Sequence, residues 1–270
     1  MISRFTIITS LLCCLVVFTL TGCSTPPTNP PSPTPAVIQV VFTPALRPLG
    51  EAMHTCAVAH PEIALFVDEV PASALDSVQA DLVFRLGEPV TSPAEGQEEK
   101  VGVDTGTAIS LAWDEIVVIL HPENNASIAD LDVLQGLFSG QITRWDELGG
   151  PENPVHVWIY PEGEEARQFF DAAIMGKARN TSLAGIAPDP AAMLEAVSTD
   201  PDAIGYLPLS WITEETPLLR IDKGFSPGLR QPLLALSGQE PEGAALIILN
   251  CLQGEDGQAI VQSRYQTLEK

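Results

Sequence analysis

Two adjacent carboxylates, Glu164 and Glu165, begin a predicted helix over residues 164–175, directly after a turn at Gly163. Acidic side chains stabilise this end of a helix because the helix dipole is positive there. In a binding cleft the same two groups would repel an anion and favour a cationic or polar solute. At a solvated surface they would be ordinary helix caps. From these two residues alone, both interpretations stay open.

The histidines form no recognisable catalytic or metal-binding motif. The four are His54, His60, His121 and His156. Two of them precede prolines, and the spacing matches no His-Glu-x-x-His zinc motif; a Walker loop is also missing from the sequence. We therefore predict that the chain is not an enzyme and that it binds no metal and no cofactor.

The first 22 residues are typical of an export signal. Arg4 precedes an apolar run of about 16 residues, shorter than the roughly 20 that span a bilayer. The run ends in Leu20-Thr21-Gly22-Cys23, which resembles the bacterial lipobox, whose cysteine carries lipid such as palmitate. We predict a lipid anchor on Cys23, with an ordinary signal peptide and an incidental cysteine as the alternative.

Residues 23–36 form a predicted tether between this anchor and the folded domain at 37–270. Half of residues 24–35 are proline, a composition that favours extended polyproline II at about 3.1 Å per residue. Such a segment would hold the domain roughly 35–40 Å from an extracytoplasmic membrane surface. A segment without a role is the alternative.

The charge of the chain excludes two classes of partner. There are 13 basic and 35 acidic residues, for a net charge of −22. This balance argues against nucleic acid, and against docking on anionic lipid through a basic patch. Contact with the membrane is therefore predicted through the lipid only.

Two cysteines remain in the predicted mature domain, Cys56 and Cys251. In an exported protein such a pair suggests a disulfide, and two ligands would not complete a metal site. Buried free thiols are the alternative.

Short apolar strands alternate with helices along residues 37–270, including a predicted strand at Glu115–Leu120. The residues from 87 to 100 are polar and predict a loop. Alternating strands and helices indicate an α/β fold with mostly parallel sheets.

The segment 138–150, Phe-Ser-Gly-Gln-Ile-Thr-Arg-Trp-Asp-Glu-Leu-Gly-Gly, resembles a signature of phosphate-type periplasmic binding proteins. These are the solute-binding subunits of phosphate ABC importers. Gly140 and Gly149-Gly150 are expected to supply positive φ, and Trp145 to hold the loop against the body. Residues 203–208 and 247–258 resemble later segments of the same family, in the same order.

The resemblance implies a type II periplasmic-binding-protein fold of two lobes with a cleft between them. Lobe 1 would comprise residues 37–112 and 210–270, and lobe 2 residues 113–209. In this family the C-terminal helices return to the first helix, which would bring Cys251 near Cys56. The resemblance also implies an ABC permease as partner, and we expect a monomer.

The resemblance assigns candidate ligand residues to the cleft. In lobe 2 the family's Ser-Gly-Thr anion turn corresponds to Glu164, Glu165 and Ala166, Tyr160 stands where an arginine is frequent, and Arg167 follows. In lobe 1 the candidates are Thr43, Ala45, Ser73 and Arg85. Arg85 is either a new anion ligand or a surface charge.

Together these features predict a lipid-anchored extracytoplasmic binding protein that captures a small solute. Two carboxylates in the anion turn argue against assuming phosphate, and a cationic or polar solute met by Glu164, Glu165 and an aromatic side chain is the other choice. The alternative function is a ligand-free sensor or envelope interaction module on the same fold.

Overall fold

The computed structural model describes residues 34–88, 106–128, 130–214, 220–222 and 229–268. The predicted signal segment, Cys23, most of the tether and most of the loop at 87–100 lie outside this range. Within the described residues, no helix has the length and apolar character needed to cross a membrane.

Strands and helices alternate along the chain, which confirms the α/β prediction. The strands are β1 (Ala36–Phe42), β2 (Ile63–Glu69), β3 (Leu82–Leu86), β4 (Thr107–Leu120), β5 (His156–Ile159), β6 (Gly185–Ile186), β7 (Ala203–Pro208), β8 (Arg220–Asp222) and β9 (Arg230–Ser237). The α-helices are α1 (Gly50–Ala59), α2 (Leu131–Ser139), α3 (Glu165–Phe170), α4 (Pro190–Thr199), α5 (Gly243–Gln253) and α6 (Glu255–Arg264). A π-helical turn, Asp171–Met175, continues α3, and 3-10 turns span Pro44–Leu49, Ala72–Ser77, Trp145–Leu148 and Leu209–Trp211.

The strands form one sheet in the order β2-β1-β3-β9-β4-β7-β5-β6, with β8 also paired to β4. We call β2, β1, β3, β9 and the first part of β4 the first half-sheet. The second half-sheet comprises the last part of β4 with β7, β5, β6 and β8. Because β4 pairs with β9 over Thr107–Glu115 and with β7 over Ile116–Leu120, it belongs to both.

The 14-residue length of β4 corrects the predicted strand, which started at Glu115. Asp114 is buried in the middle of β4, and a carboxylate interrupts the apolar pattern by which strands are recognised. The register of β4 against β9 also shifts between Ser110 and Ala112.

The sheet is mixed rather than mostly parallel. The outer pairings β1–β2, β1–β3, β5–β6 and β5–β7 are parallel, as predicted. The described pairings of β4 and β9 are antiparallel. The difference arises because the chain crosses into the second half-sheet on β4 and returns on β9.

An aromatic cluster fixes the helices of the second half-sheet. The rings of Phe170 and Tyr206 are stacked with centroids 3.9 Å apart, and Phe138 lies 4.6 Å from Phe170. Tyr160 meets the edge of Tyr206 at 5.4 Å. Buried aromatic contacts of this kind are directional, so the cluster sets where α3 begins relative to the end of β5.

The turn at 138–150 has most of its expected features. Gly140 and Gly149 have φ of 75° and 76°, and Trp145 is fully buried with its Nε1 donating to the carbonyl of Asp202 at 2.9 Å. Gly150 differs from the expectation, since its φ is not positive. A Cβ there would approach the Cβ of Ala126 to 2.9 Å, so close packing is what requires glycine.

Cys56 of α1 and Cys251 of α5 are joined by a disulfide across a sequence separation of 195 residues. Cys56 is fully buried. The bond therefore connects the beginning of the described chain to the helices near its end, both of which lie beside the first half-sheet.

Candidate solute-binding cleft

Thr43 and Glu165 meet between the two half-sheets. Thr43 follows β1, and Glu165 begins α3 after β5, so both lie beyond the carboxyl ends of parallel strands. Ligands of α/β proteins bind at such ends. The hydroxyl of Thr43 donates to Oε2 of Glu165 at 2.7 Å, and both side chains are buried. Two of the predicted ligand residues thus contact each other directly.

Arg85 is not a surface charge. It lies in β3 and only 7% of it is exposed. Its Nε donates to the carbonyl of Gly87 at 3.0 Å and lies 3.5 Å from Oε1 of Glu165. Oε1 itself makes no hydrogen bond with any described residue. The guanidinium therefore balances part of the Glu165 charge without donating a hydrogen bond to it. Oε1 is left as a buried acceptor without a donor in the described part of the chain.

The environment of Glu165 changes its acidity. Burial raises the pKa of Glu165 to about 7, although Arg85, the Thr43 hydroxyl and the nearby N–H of Leu86 all act to lower it. Desolvation disfavours the ionised form of a carboxyl group, and a single cation at 3.5 Å offsets only part of that cost. Glu165 thus titrates near neutral pH.

Glu164 and Ser73 lie on facing loops. Burial raises the pKa of Glu164, a half-buried group, and a hydrogen bond from the backbone of Ala72 opposes that rise. Ser73 is exposed, and its Cβ lies 3.3 Å from the place where a Cβ on Gly163 would be. The loop after β2 therefore touches the turn before α3, and Ala72 rather than Ser73 supplies the donor to a carboxylate.

A further ionic contact across the cleft was not expected from the sequence. Arg47 binds Glu69 on its own half-sheet at 2.6 Å and Asp189 on the other at 3.1 Å. Asp189 also caps α4, where its side chain accepts from the N–H of Ala192. The Asp-Pro pair at 189–190 indicates such a cap in the sequence, but no local pattern connects it to Arg47.

Three predicted ligand residues face away from the polar contacts of the cleft. Tyr160 is buried against Tyr206, and its hydroxyl has no hydrogen-bond partner among the described residues. Arg167 donates to the carbonyl of Tyr160 at 2.7 Å and so supports the turn rather than the cleft. Ala45 is buried, and its carbonyl accepts a hydrogen bond from Nε1 of Trp211 at 2.9 Å.

Among the described residues, two of the surface cavities lie outside this cleft. One, of about 520 Å³, lies beside the disulfide between α1 and α6, and the other, of about 490 Å³, borders the beginning of β5. The second contains His156 and Asp200, whose ligand atoms lie within 4.8 Å of those of Asp202. These groups stand at the amino ends of β5 and β7, opposite the end where Glu165 lies.

Comparison with known proteins gives a consistent family. A family model described as a PBP superfamily domain matches residues 90–241, which is 152 of the 270 residues. Phosphate-binding protein PstS of Bacillus subtilis (strain 168) is 27% identical over 121 residues. That alignment covers 44% of this chain and 40% of the relative, so the chain matches less than half of the length of the curated protein.

Solved structures share the fold at low sequence identity. A Clostridium perfringens protein, described as a phosphate ABC transporter substrate-binding protein with bound phosphate, has a TM-score of 0.71 at 20% identity. The match covers 86% of this chain and all of that one. A phosphate transport receptor from Vibrio cholerae has a TM-score of 0.62 at 16% identity, with coverage of 86% and 100%. The reduced regulatory domain of OxyR2 from Vibrio vulnificus scores 0.56 at 10% identity, with coverage of 86% and 99%.

The phosphate-type resemblance predicted from residues 138–150 is thereby confirmed. These comparisons establish the family and the fold. The similarity to a regulatory domain shows that proteins with different functions share this fold. Because the family model matches more than half of the sequence, this chain belongs to the PBP superfamily.

Proposed function

We propose that this chain is a lipid-anchored, extracytoplasmic solute-binding protein that captures a small solute between two lobes and delivers it to an ABC permease as a monomer. The observation that carries the proposal is the buried contact between Thr43 and Glu165, which brings polar groups of both half-sheets together at the carboxyl ends of their strands. The proposed lobes are residues 37–112 with 210–270 and residues 113–209; they differ from the two half-sheets at β8, which lies in the first lobe by residue number but pairs with β4 in the second half-sheet.

The proposed solute is cationic or neutral and polar rather than phosphate. Glu164, Glu165 and Asp189 project from the second half-sheet toward the donors of the first. Their negative charge disfavours a dianion, because like charges in a partly desolvated site cost several kcal/mol.

We expect a solute of this class to stabilise the unmodified chain against thermal unfolding. A ligand at about 100 times its Kd adds roughly 2.7 kcal/mol to the stability of the folded state. The measurement is the Tm of the full-length chain in detergent, across a panel of polyamines, amino acids, sugars, phosphate and sulfate. Thr43→Val, which removes the cleft hydroxyl at nearly constant shape, is the matched control and should abolish the shift. An equal shift in that variant would place the solute elsewhere.

A ligand-free interaction module is the second candidate. It is favoured by the fact that Thr43, Arg47 and the N–H of Ala72 already bind carboxylates of the chain itself. The same panel distinguishes the two functions: if no small solute raises the Tm, the interaction module is supported and solute capture is rejected.

The lipid anchor is tested separately. We expect radioactive palmitate to label the chain in a bacterial host and Cys23→Ser to remove the label, because the lipobox cysteine is the attachment site. Cys14→Ser is the matched control, since that residue lies within the segment expected to be cleaved. Undiminished labelling of the Cys23→Ser chain would exclude the anchor at this position.

A further inference from the structure

Glu165 offers the cleft the same chemistry as a small oxyanion. When ionised, its carboxylate carries two oxygens and one negative charge, and the residue is 1% exposed. Oε2 accepts the Thr43 hydroxyl at 2.7 Å, and Oε1 lies 3.5 Å from Nε of Arg85. A hydroxyl and a guanidinium are the donors that a free carboxylate or phosphate oxygen would need.

The carboxylate reaches these donors from the opposite half-sheet. Thr43 and Arg85 belong to the first half-sheet, whereas Glu165 begins α3 on the second. The close contact of Phe169, also in α3, with the backbone of Gly87 leaves no room for a side chain there, so the two surfaces touch around the polar pair. An anion from solution would therefore compete with a group that is already in place.

Covalent attachment gives Glu165 an advantage in that competition. A group held beside its partners acts at an effective concentration that reaches the millimolar range or above, without new contacts. The advantage is incomplete, because the buried Oε1 has no hydrogen bond within the described part of the chain. A mobile oxyanion could make better hydrogen bonds if the carboxylate were absent.

We propose that Glu165 is a resident anion, an intramolecular ligand that occupies the oxyanion position between Thr43 and Arg85 and thereby excludes free oxyanions while holding the two half-sheets together. The inference rests on the proposed function only in taking this cleft as the solute site. It assigns to one side chain both the exclusion of phosphate and the closed arrangement of the cleft.

Removal of the carboxylate should create a site for small oxyanions. Glu165→Ala deletes a CH₂–COO⁻ group, which has the size of acetate, so acetate can replace the lost atoms and phosphate can use the same donors. We expect both anions to bind the full-length Glu165→Ala chain at least about tenfold more tightly than the unmodified chain, since the deletion vacates the position beside the Thr43 and Arg85 donors and also removes one adjacent like charge.

The experiment is a calorimetric and thermal-shift titration of acetate and phosphate at pH 8, where Glu165 is mostly ionised, and at constant ionic strength, with chloride as the reference anion. Glu165→Gln retains the side-chain volume and should gain no binding. Glu162→Ala removes a carboxylate that is 93% exposed from the same turn, and should also gain none. If Glu165→Ala is not folded by circular dichroism, Glu165→Ser replaces it, because serine also vacates the carboxylate position and keeps a small polar group beside Thr43.

The results separate this inference from the proposed function. Anion binding gained by Glu165→Ala or Glu165→Ser, but not by Glu165→Gln or Glu162→Ala, supports the resident anion. Equal anion binding by all variants, or none by any of them, overturns it. Tight phosphate binding by the unmodified chain also overturns it, yet that result would support solute capture, which the solute panel on the unmodified chain tests independently.

Discussion

Unfolding of the chain without the Cys56–Cys251 disulfide is expected to require about 3–5 kcal/mol less free energy than unfolding of the oxidised chain. The bond closes a sequence separation of 195 residues, and the loss of loop-closure entropy in the unfolded chain grows with the length of the loop. The measurement is urea unfolding of the Cys56→Ala, Cys251→Ala double variant, for which the m-value should also rise as the unfolded chain expands.

Single variants are the control for the loss of packing. Cys56 is fully buried and Cys251 is half-buried, so most of the lost packing comes from Cys56. The free energy of unfolding of Cys56→Ala alone should therefore match that of the double variant. That of Cys251→Ala should differ from it only through the free Cys56 thiol that remains. A double variant within about 1 kcal/mol of the oxidised chain would contradict the chain-entropy account. Alkylation and intact mass of the exported protein, with and without reductant, should show no free thiols until the bond is reduced.

The stability of the chain is expected to fall as the pH rises from about 4 to 8, by about 3 kcal/mol for each of two buried carboxyl groups. Burial raises the pKa of Asp114 from 3.8 to about 7 and that of Glu165 from 4.5 to about 7. The folded chain therefore keeps protons that the unfolded chain has already released. This stabilisation is fully present at a pH below the pKa values that the two groups have in the unfolded chain. It is lost as the pH rises through the pKa values that they have in the folded chain.

The charged and polar neighbours of these two groups are known from the structure. Glu165 faces Arg85, Thr43, the N–H of Leu86 and Glu164. Asp114 accepts from the N–H groups of Ser210 and Glu115, and the charge of Glu115 acts to raise its pKa. None of these contacts reverses the direction of either shift, because desolvation is the largest effect at both sites.

Isosteric variants distinguish the effect of these two carboxyl groups on the pH dependence of stability from the effect of charge repulsion throughout a chain with net charge −22. Urea unfolding at pH 5 and pH 8 should show a smaller loss of stability with pH for Glu165→Gln and for Asp114→Asn, and the smallest loss for the double variant. Glu162→Gln, an exposed carboxyl in the same turn as Glu165, should leave the pH dependence of the unmodified chain. A pH dependence that is unchanged in all these variants would show that both groups are ionised throughout.

The fold was largely predictable because its signals are local. The turn at 138–150 contains Gly140 and Gly149 at positive φ and the buried Trp145, and each of these follows from residue type and spacing. The extent of β4 was not predictable in the same way. Asp114 is a poor strand residue in isolation, and one of the two N–H groups that donate to it comes from the distant turn at Ser210.

The composition of the cleft was predictable, but its contacts were not. The sequence places two carboxylates where the family has an anion turn, and this already argues against phosphate. It does not reveal that Glu165 meets Thr43 across 122 positions of the chain, or that Arg47 meets Asp189 across 142. Such pairings depend on how closely the two half-sheets approach. The contact of Tyr160 with Tyr206 and that of Arg167 with the Tyr160 carbonyl were unexpected for the same reason, since sequence position near a cleft does not fix the direction of a side chain.

The antiparallel pairing of β4 with β7 has a consequence for how this protein could diversify. Ile116 and Pro208 are Cα partners, as are Leu120 and Ile204, so the segment between β4 and β7 begins and ends on neighbouring strands. The intervening residues form a continuous cassette that contains Glu164, Glu165 and Asp189, whereas Thr43, Arg47 and Arg85 lie outside it. A recombination event between related genes at these two boundaries would exchange these three carboxylates at once while retaining the donors. Ligand preference could thus change in a single genetic step, without rebuilding the rest of the sheet.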